Sequence, residues 1–160
     1  MTVQYIKRIT ERYNRLGYTP YRWFKADQPP PWQPLKKKLS RCRLGVLSTS
    51  GGYVAGQMAY HYKDDTSIRA IPKNTPDQDI RFSHITENYL EDPRRDPNCI
   101  IPLRALEALE SNGFVGQVAD ELFTCMGGVY SQRRVRQELI PHLIEKWENQ
   151  QVDAVLLVAM

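Results

Sequence analysis

The sequence predicts an α/β fold: a mostly parallel open sheet flanked by helices, preceded by an N-terminal helix and an arm rich in proline and aromatic residues. Three observations carry this expectation. Residues 43–57, RLGVLSTSGGYVAGQ, open with the apolar positions Leu44, Val46 and Leu47 and then turn to Ser, Thr and Gly. That is how a buried parallel strand delivers N–H groups and hydroxyls to the sheet edge where ligands bind. Residues 153–160, DAVLLVAM, form a second short run, apolar throughout after Asp153, and are expected to be a strand buried on both faces. Between these runs Val135, Leu139, Leu143 and Trp147 recur every four residues, and Ile140 and Ile144 widen the stripe, so residues 131–149 read as an amphipathic helix.

From the N-terminus, Thr2 is a candidate cap for a helix whose apolar positions are Val3, Ile6, Ile9, Tyr13 and Leu16, with Gly17 at the C′ position. Lys7, Arg8, Arg12 and Arg15 make up much of its polar face. Pro20, Pro29, Pro30, Pro31 and Pro34 then forbid a long helix, and the triple proline should run as polyproline II. Tyr18, Tyr21, Trp23, Phe24 and Trp32 are too many aromatics for a free linker, so the arm is expected to pack on the domain. The organisation that follows is residues 1–42 as helix and arm, and 43–160 as the α/β domain.

Further along, Ile68, Ala70 and Pro72 alternate as in an edge strand. Ile80 and Phe82 suggest another strand that ends at Ser83 and His84. Residues 84–98 hold two Asp-Pro steps and many titratable groups, which reads as a long functional loop. Pro102 suits the first turn of a helix carrying Leu103, Leu106 and Leu109, stopped by Asn112-Gly113. Residues 114–123 read as a strand or strand pair leading to a second Gly-Gly loop, and Ser131 can cap the helix after it. Pro141 must kink that helix or begin another.

Composition bounds the function. No apolar run approaches the roughly 18 residues of a membrane span, and the charged N-terminus lacks a secretory h-region, so a cytoplasmic protein is expected with no membrane partner. Cys42, Cys99 and Cys125 form no CxxC and no zinc spacing, so no metal site is expected. Residues 1–44 carry 11 Lys/Arg against 2 Asp/Glu, whereas residues 45–160 carry 11 against 16. The basic character therefore belongs to the N-terminal segment. Lys36–Lys38 and Arg41 leave phosphate contact open, but the balance argues against nucleic acid as a partner.

The candidate substrate-binding residues are Ser50, Gly51 and Gly52 in the first loop, Asp92 and Asp96 in the acidic stretch, and Gly127 and Gly128 in the second loop. The candidate catalytic residues are His84, as an acid/base at a strand end, and Cys125, whose pKa a helix N-terminus would lower. The alternative for each is a structural role: a histidine satisfied by backbone, and a cysteine buried as a small hydrophobe.

These segments occur together and in order: the strand and Gly-Gly loop, Arg81-Phe-Ser-His84, the acidic loop ending Asp96-Pro-Asn98, Phe123-Thr-Cys-Met-Gly-Gly128, and Val152-Asp-Ala-Val-Leu-Leu157. The set resembles the selenoprotein B family of glycine, sarcosine, betaine and D-proline reductases. The resemblance implies a subunit of a reductive system that splits a C–N bond, with an amino-acid-like carboxylate substrate. It also implies other reductase subunits and a thioredoxin-like reductant as partners. The family's reactive selenocysteine or cysteine follows a strand resembling residues 152–159. The sequence stops at Met160 before such a motif, so the expectation is a short or UGA-stopped form that holds no cofactor of its own and is inactive alone. A non-catalytic α/β module holding a small anion is the second reading, and a nucleic-acid-associated protein using the 1–44 arm is a third.

Overall fold

The computed structural model describes residues 3–20 and 22–160. The chain forms two compact units, residues 1–33 and 34–160. In the first, helix α1 spans Tyr5–Arg15 with Gln4 at its N-cap; the expected Thr2 cap lies outside the described residues, as does Tyr21 of the arm. The helix ends as its sequence requires: Gly17 takes φ +80°, a conformation glycine adopts without a Cβ penalty. Just past that end the Tyr13 and Tyr18 rings stack at a tilt, 5.8 Å apart.

The second unit is built around β1 (Arg43–Ser48). On one flank β5 (Gln117–Val118) and then β6 (Glu121–Thr124) pair with it in parallel; on the other flank β7 (Ala154–Val158) runs parallel along almost its whole length. The outer partner of β6 is β3 (Arg69–Pro72), antiparallel, so the sheet is mixed with a parallel centre. Pro72 ends that edge strand, where its missing N–H breaks no inner ladder. Strands β2 (Gly52–Val54) and β4 (Ile80–Phe82) form a separate antiparallel pair.

Alternation along β1 sorts the core into two layers. Leu44 and Val46 face a cluster that includes Ile71, Phe82, Leu90, Ile101, Leu106 and Leu122. Helix α3 (Leu103–Ser111) supplies Leu103 and Leu106 to this layer. Leu47 faces the other way, onto Phe123, Cys125, Leu139 and Leu143. A Cβ at Gly45 would stand 3.0 Å from the Trp147 ring, and this close approach seats the last helix against β1.

That helix is continuous in three parts: α4 (Gln132–Arg134), a π-helical turn (Val135–Leu139) and α5 (Ile140–Asn149). Ser131 caps it as expected, its Oγ accepting from the Arg134 N–H at 3.3 Å. Pro141 is absorbed at the start of α5, directly after the wider π turn, since it has no N–H to contribute to the helical ladder.

Two expectations change. The strand at residues 154–158 is present and parallel, but it is an edge strand and is not buried on both faces: Leu156 and Leu157 are 40% and 67% exposed. Among the described residues it pairs with β1 alone. The 84–98 stretch is also more ordered than a loop. It holds a 3-10 turn (Glu87–Tyr89), helix α2 (Glu91–Arg95) and a second 3-10 turn (Pro97–Cys99). Pro93 and Pro97 fall in first turns, where proline fits, and Leu90 is fully buried and anchors the segment.

Candidate functional site

The carboxyl ends of β1, β6 and β7 meet at one edge of the sheet. Past β1, the Gly51 N–H donates to the Cys125 carbonyl at 3.0 Å, and Ser50 bridges to Met126, so the two Gly-Gly segments lie side by side. The Ser83 N–H donates to the Gly51 carbonyl at 3.0 Å, which draws the end of β4 to the same point. Thr49 receives β7: its N–H donates to the Val158 carbonyl at 3.0 Å, and its Oγ1 accepts from the Met160 N–H at 2.9 Å. Ser50, Gly51, Gly52, Gly127, Gly128, His84 and Cys125 are therefore neighbours in space, though the chain separates them by as many as 78 positions.

Close approach explains the glycines. Gly51 has φ +65°, and a Cβ there would stand 2.1 Å from the Ser83 carbonyl oxygen. A Cβ at Gly127 would meet the Thr49 carbonyl at 2.8 Å and His84 Nε2 at 2.9 Å, and one at Gly128 would strike Ile85. Ser50 is fully buried, its Oγ accepting from Ser48 at 2.9 Å. Ser50, Gly51 and Gly52 form a floor, and Thr49, Thr86, Gly127 and Gly128 are the parts open to solvent.

His84 is 3% exposed and lies between these loops. The Gly127 N–H donates to Nε2 at 3.2 Å; the Thr86 N–H points at Nδ1 at 3.1 Å, with Thr86 Oγ1 2.6 Å from the same nitrogen. A neutral ring has two proton positions here. A proton on Nδ1 faces Thr86 Oγ1 and leaves Nε2 for Gly127; a proton on Nε2 faces the Thr49 carbonyl and leaves Nδ1 for the Thr86 N–H. Burial holds the ring pKa below its ordinary 6.5, partly opposed by the Glu87 carboxylate, so at neutral pH the imidazole is uncharged. Glu87 itself pairs with Arg94 and accepts from the His84 N–H at 3.4 Å.

Cys125 is 2% exposed, and burial pushes its thiol up to about 12, the reverse of the lowering expected from a helix N-terminus. The cause is its apolar surroundings beside Leu47, Phe123, Leu139 and Leu143. Asp92 and Asp96 are held elsewhere: Asp92 lies 3.6 Å from Arg95, and Asp96 accepts from the Asn98 N–H at 2.9 Å as the cap of its 3-10 turn. Neither carboxylate has a contact with the two Gly-Gly segments.

Sequence reasoning misses the partners that orient the site. Thr86 sits two residues after His84, the spacing of a local side-chain-to-backbone turn, and that signal was available. Tyr60 and Thr124 had no such signal. The buried Tyr60 hydroxyl lies 2.9 Å from Thr124 Oγ1 and accepts from the Arg69 N–H at 3.1 Å, while the Arg69 guanidinium covers the ring at 4.4 Å. Thr124 Oγ1 in turn donates to the Gly52 carbonyl. Among the described residues no group of three or more His, Cys, Asp or Glu side chains is arranged to hold a metal ion, and no helix is long and apolar enough to cross a membrane.

The D-proline reductase subunit gamma of Acetoanaerobium sticklandii is 28% identical to this chain over 131 residues, which is 82% of this chain and 54% of that protein. The chain is therefore distantly similar to a D-proline reductase subunit. It spans about half the length of the curated relative it matches. No family model matches the sequence, and no solved structure matches it. The relationship to this reductase subunit covers most of the chain, and therefore much of the sheet whose edge forms the site.

Proposed function

We propose that this chain acts as a selenoprotein B-like subunit of a reductase that cleaves the C–N bond of a proline- or glycine-type substrate, in complex with other reductase subunits. The observation that carries this reading is the 28% identity over 82% of the chain to a D-proline reductase subunit. The partly exposed backbone at Gly128, next to the Gly127 N–H that His84 holds, suits the substrate carboxylate, and neutral His84 serves as a proton carrier at the strand ends. A selenolate or thiolate supplied at the carboxyl end of β7 would act beside Thr49. Cleavage takes two electrons and two protons, giving one C–H and one N–H bond, with a thioredoxin-like dithiol as electron donor and its disulfide as product. The raised thiol of Cys125 supports assigning the nucleophile to another residue.

The second reading, a non-catalytic module holding a small carboxylate at the same edge, is favoured by that same buried thiol. Purification of the tagged chain from its native host, with mass spectrometry and calorimetric titration of D-proline, glycine, sarcosine and betaine, tests both. Co-purifying reductase subunits support the first; carboxylate binding without such partners supports the second. Neither partners nor binding would overturn both.

A further inference from the structure

Lys37, from the Lys36–Lys38 run, and Arg41, both unused by the site above, border an open cavity of about 490 Å³ at the other end of β1. Five residue steps of strand separate the two ends, roughly 17 Å. Among the residues lining the cavity are Lys37, Ser40, Arg41, Arg43, Gln117 and Gln151. We propose that this cavity is a binding site for the phosphate group of a small ligand, gripped by the Arg41 guanidinium and the Ser40 and Gln117 side chains. This goes beyond the reductase reading and does not depend on it.

The wall is built so that its charge is fixed in place. Asp153, the acidic group lining the cavity, is already spent: its carboxylate lies 2.7 Å from Lys37 Nζ and accepts from the Arg43 N–H at 2.7 Å. Both contacts hold it below the usual carboxylate range, so it stays ionised and stays engaged. The Arg43 guanidinium pairs through Nη2 with Asp120 at 2.6 Å, and its Nε is buried with no hydrogen-bond partner. Arg41 is different. Its guanidinium has no ion-pair or hydrogen-bond partner among the described residues, yet its backbone is pinned: a Cβ at Gly116 would stand 2.9 Å from the Arg41 Cα. A fixed backbone presenting a free fork of donors suits a tetrahedral oxyanion. The Ser40 hydroxyl and the Gln117 amide add uncharged donors without adding repulsion.

The test is calorimetric titration of the whole chain at neutral pH with inorganic phosphate and with glycerol 3-phosphate. Saturable binding of either supports the site; tighter binding of glycerol 3-phosphate identifies a phosphorylated metabolite, and equal binding identifies free phosphate. Arg41→Gln should weaken binding by about tenfold or more, the scale of one lost charge-assisted contact. Arg41→Lys should recover part of it, because it keeps the charge without the fork. Gln117→Ala should weaken it through an uncharged donor, and Lys63→Gln, the same charge change at an exposed lysine elsewhere, should leave it unchanged. Absence of saturable heat, an equal loss in Lys63→Gln, or tighter binding of a short single-stranded RNA than of either phosphate would overturn the proposal.

Discussion

The backbone nitrogen of Gly127 stands 3.2 Å from Nε2 of His84, across 43 positions of sequence. The contact exists only for a ring with a free lone pair at Nε2, so it joins the second Gly-Gly segment to a titratable group. Charging the imidazole abolishes it and leaves two backbone N–H groups facing N–H donors.

This gives a pH dependence with a definite sign. The folded pKa of His84 lies below its ordinary 6.5 because burial disfavours the cation. The unfolded chain therefore binds the extra proton first, so stability is complete above pH 6.5 and declines as pH falls from there through the folded pKa. Urea midpoints measured from pH 8 to pH 5 should fall on the acid side, and His84→Gln should flatten that limb. The lowered carboxylates Glu87 and Asp65 add a separate loss only below about their ordinary values of 4.5 and 3.8.

Two glycines with positive φ should respond differently to alanine. At Gly56, φ is +95° and nothing lies within 4 Å of an added Cβ, so Gly56→Ala incurs backbone strain alone, about 1–3 kcal/mol. Gly51→Ala adds a collision with the Ser83 carbonyl at 2.1 Å to the same strain and should be clearly the worse of the two. Chemical denaturation of the pair measures the difference; equal losses would contradict the packed Gly51–Ser83 contact.

The three thiols should separate by reactivity. Cys99 is exposed, whereas Cys42 and Cys125 are buried. With its thiol pushed up to about 12, Cys125 carries almost no thiolate at neutral pH. Iodoacetamide should modify the native chain at Cys99 alone, slowly, because burial and the nearby Asp96 and Asp92 charges raise that thiol too. Unfolding should make all three available, and peptide mapping reads the order. Rapid native labelling of Cys125 would revive it as a nucleophile.

Strand β7 makes an energetic prediction opposite to its hydrophobicity. Leu157 is 67% exposed, so Leu157→Ser should change stability by no more than about 0.5 kcal/mol, while Leu122→Ala, at 1% exposure, should cost about 2–5 kcal/mol. Light scattering should show less self-association for Leu157→Ser, since a flat apolar edge is a template for pairing.

Much of this molecule is written locally. Leu44, Val46 and Leu47 declare a strand, Leu139 and Leu143 declare a helix face, and Gly17 and Ser131 mark ends, because periodicity, φ preference and capping act over a few neighbouring residues. The same local signals located both Gly-Gly segments and His84. The tertiary structure alone decided which of two similar apolar runs became central: β1 acquired neighbours on both flanks and β7 on one, so the more uniformly apolar run is the more exposed. It also decided that His84 faces Gly127 and Thr86, that Asp92 and Asp96 stand apart from the site, and that the Cys125 thiol lies under Leu139 and Leu143. Side-chain pKa, burial and cross-strand partners depend on atoms contributed from tens of residues away, and no window of sequence contains them.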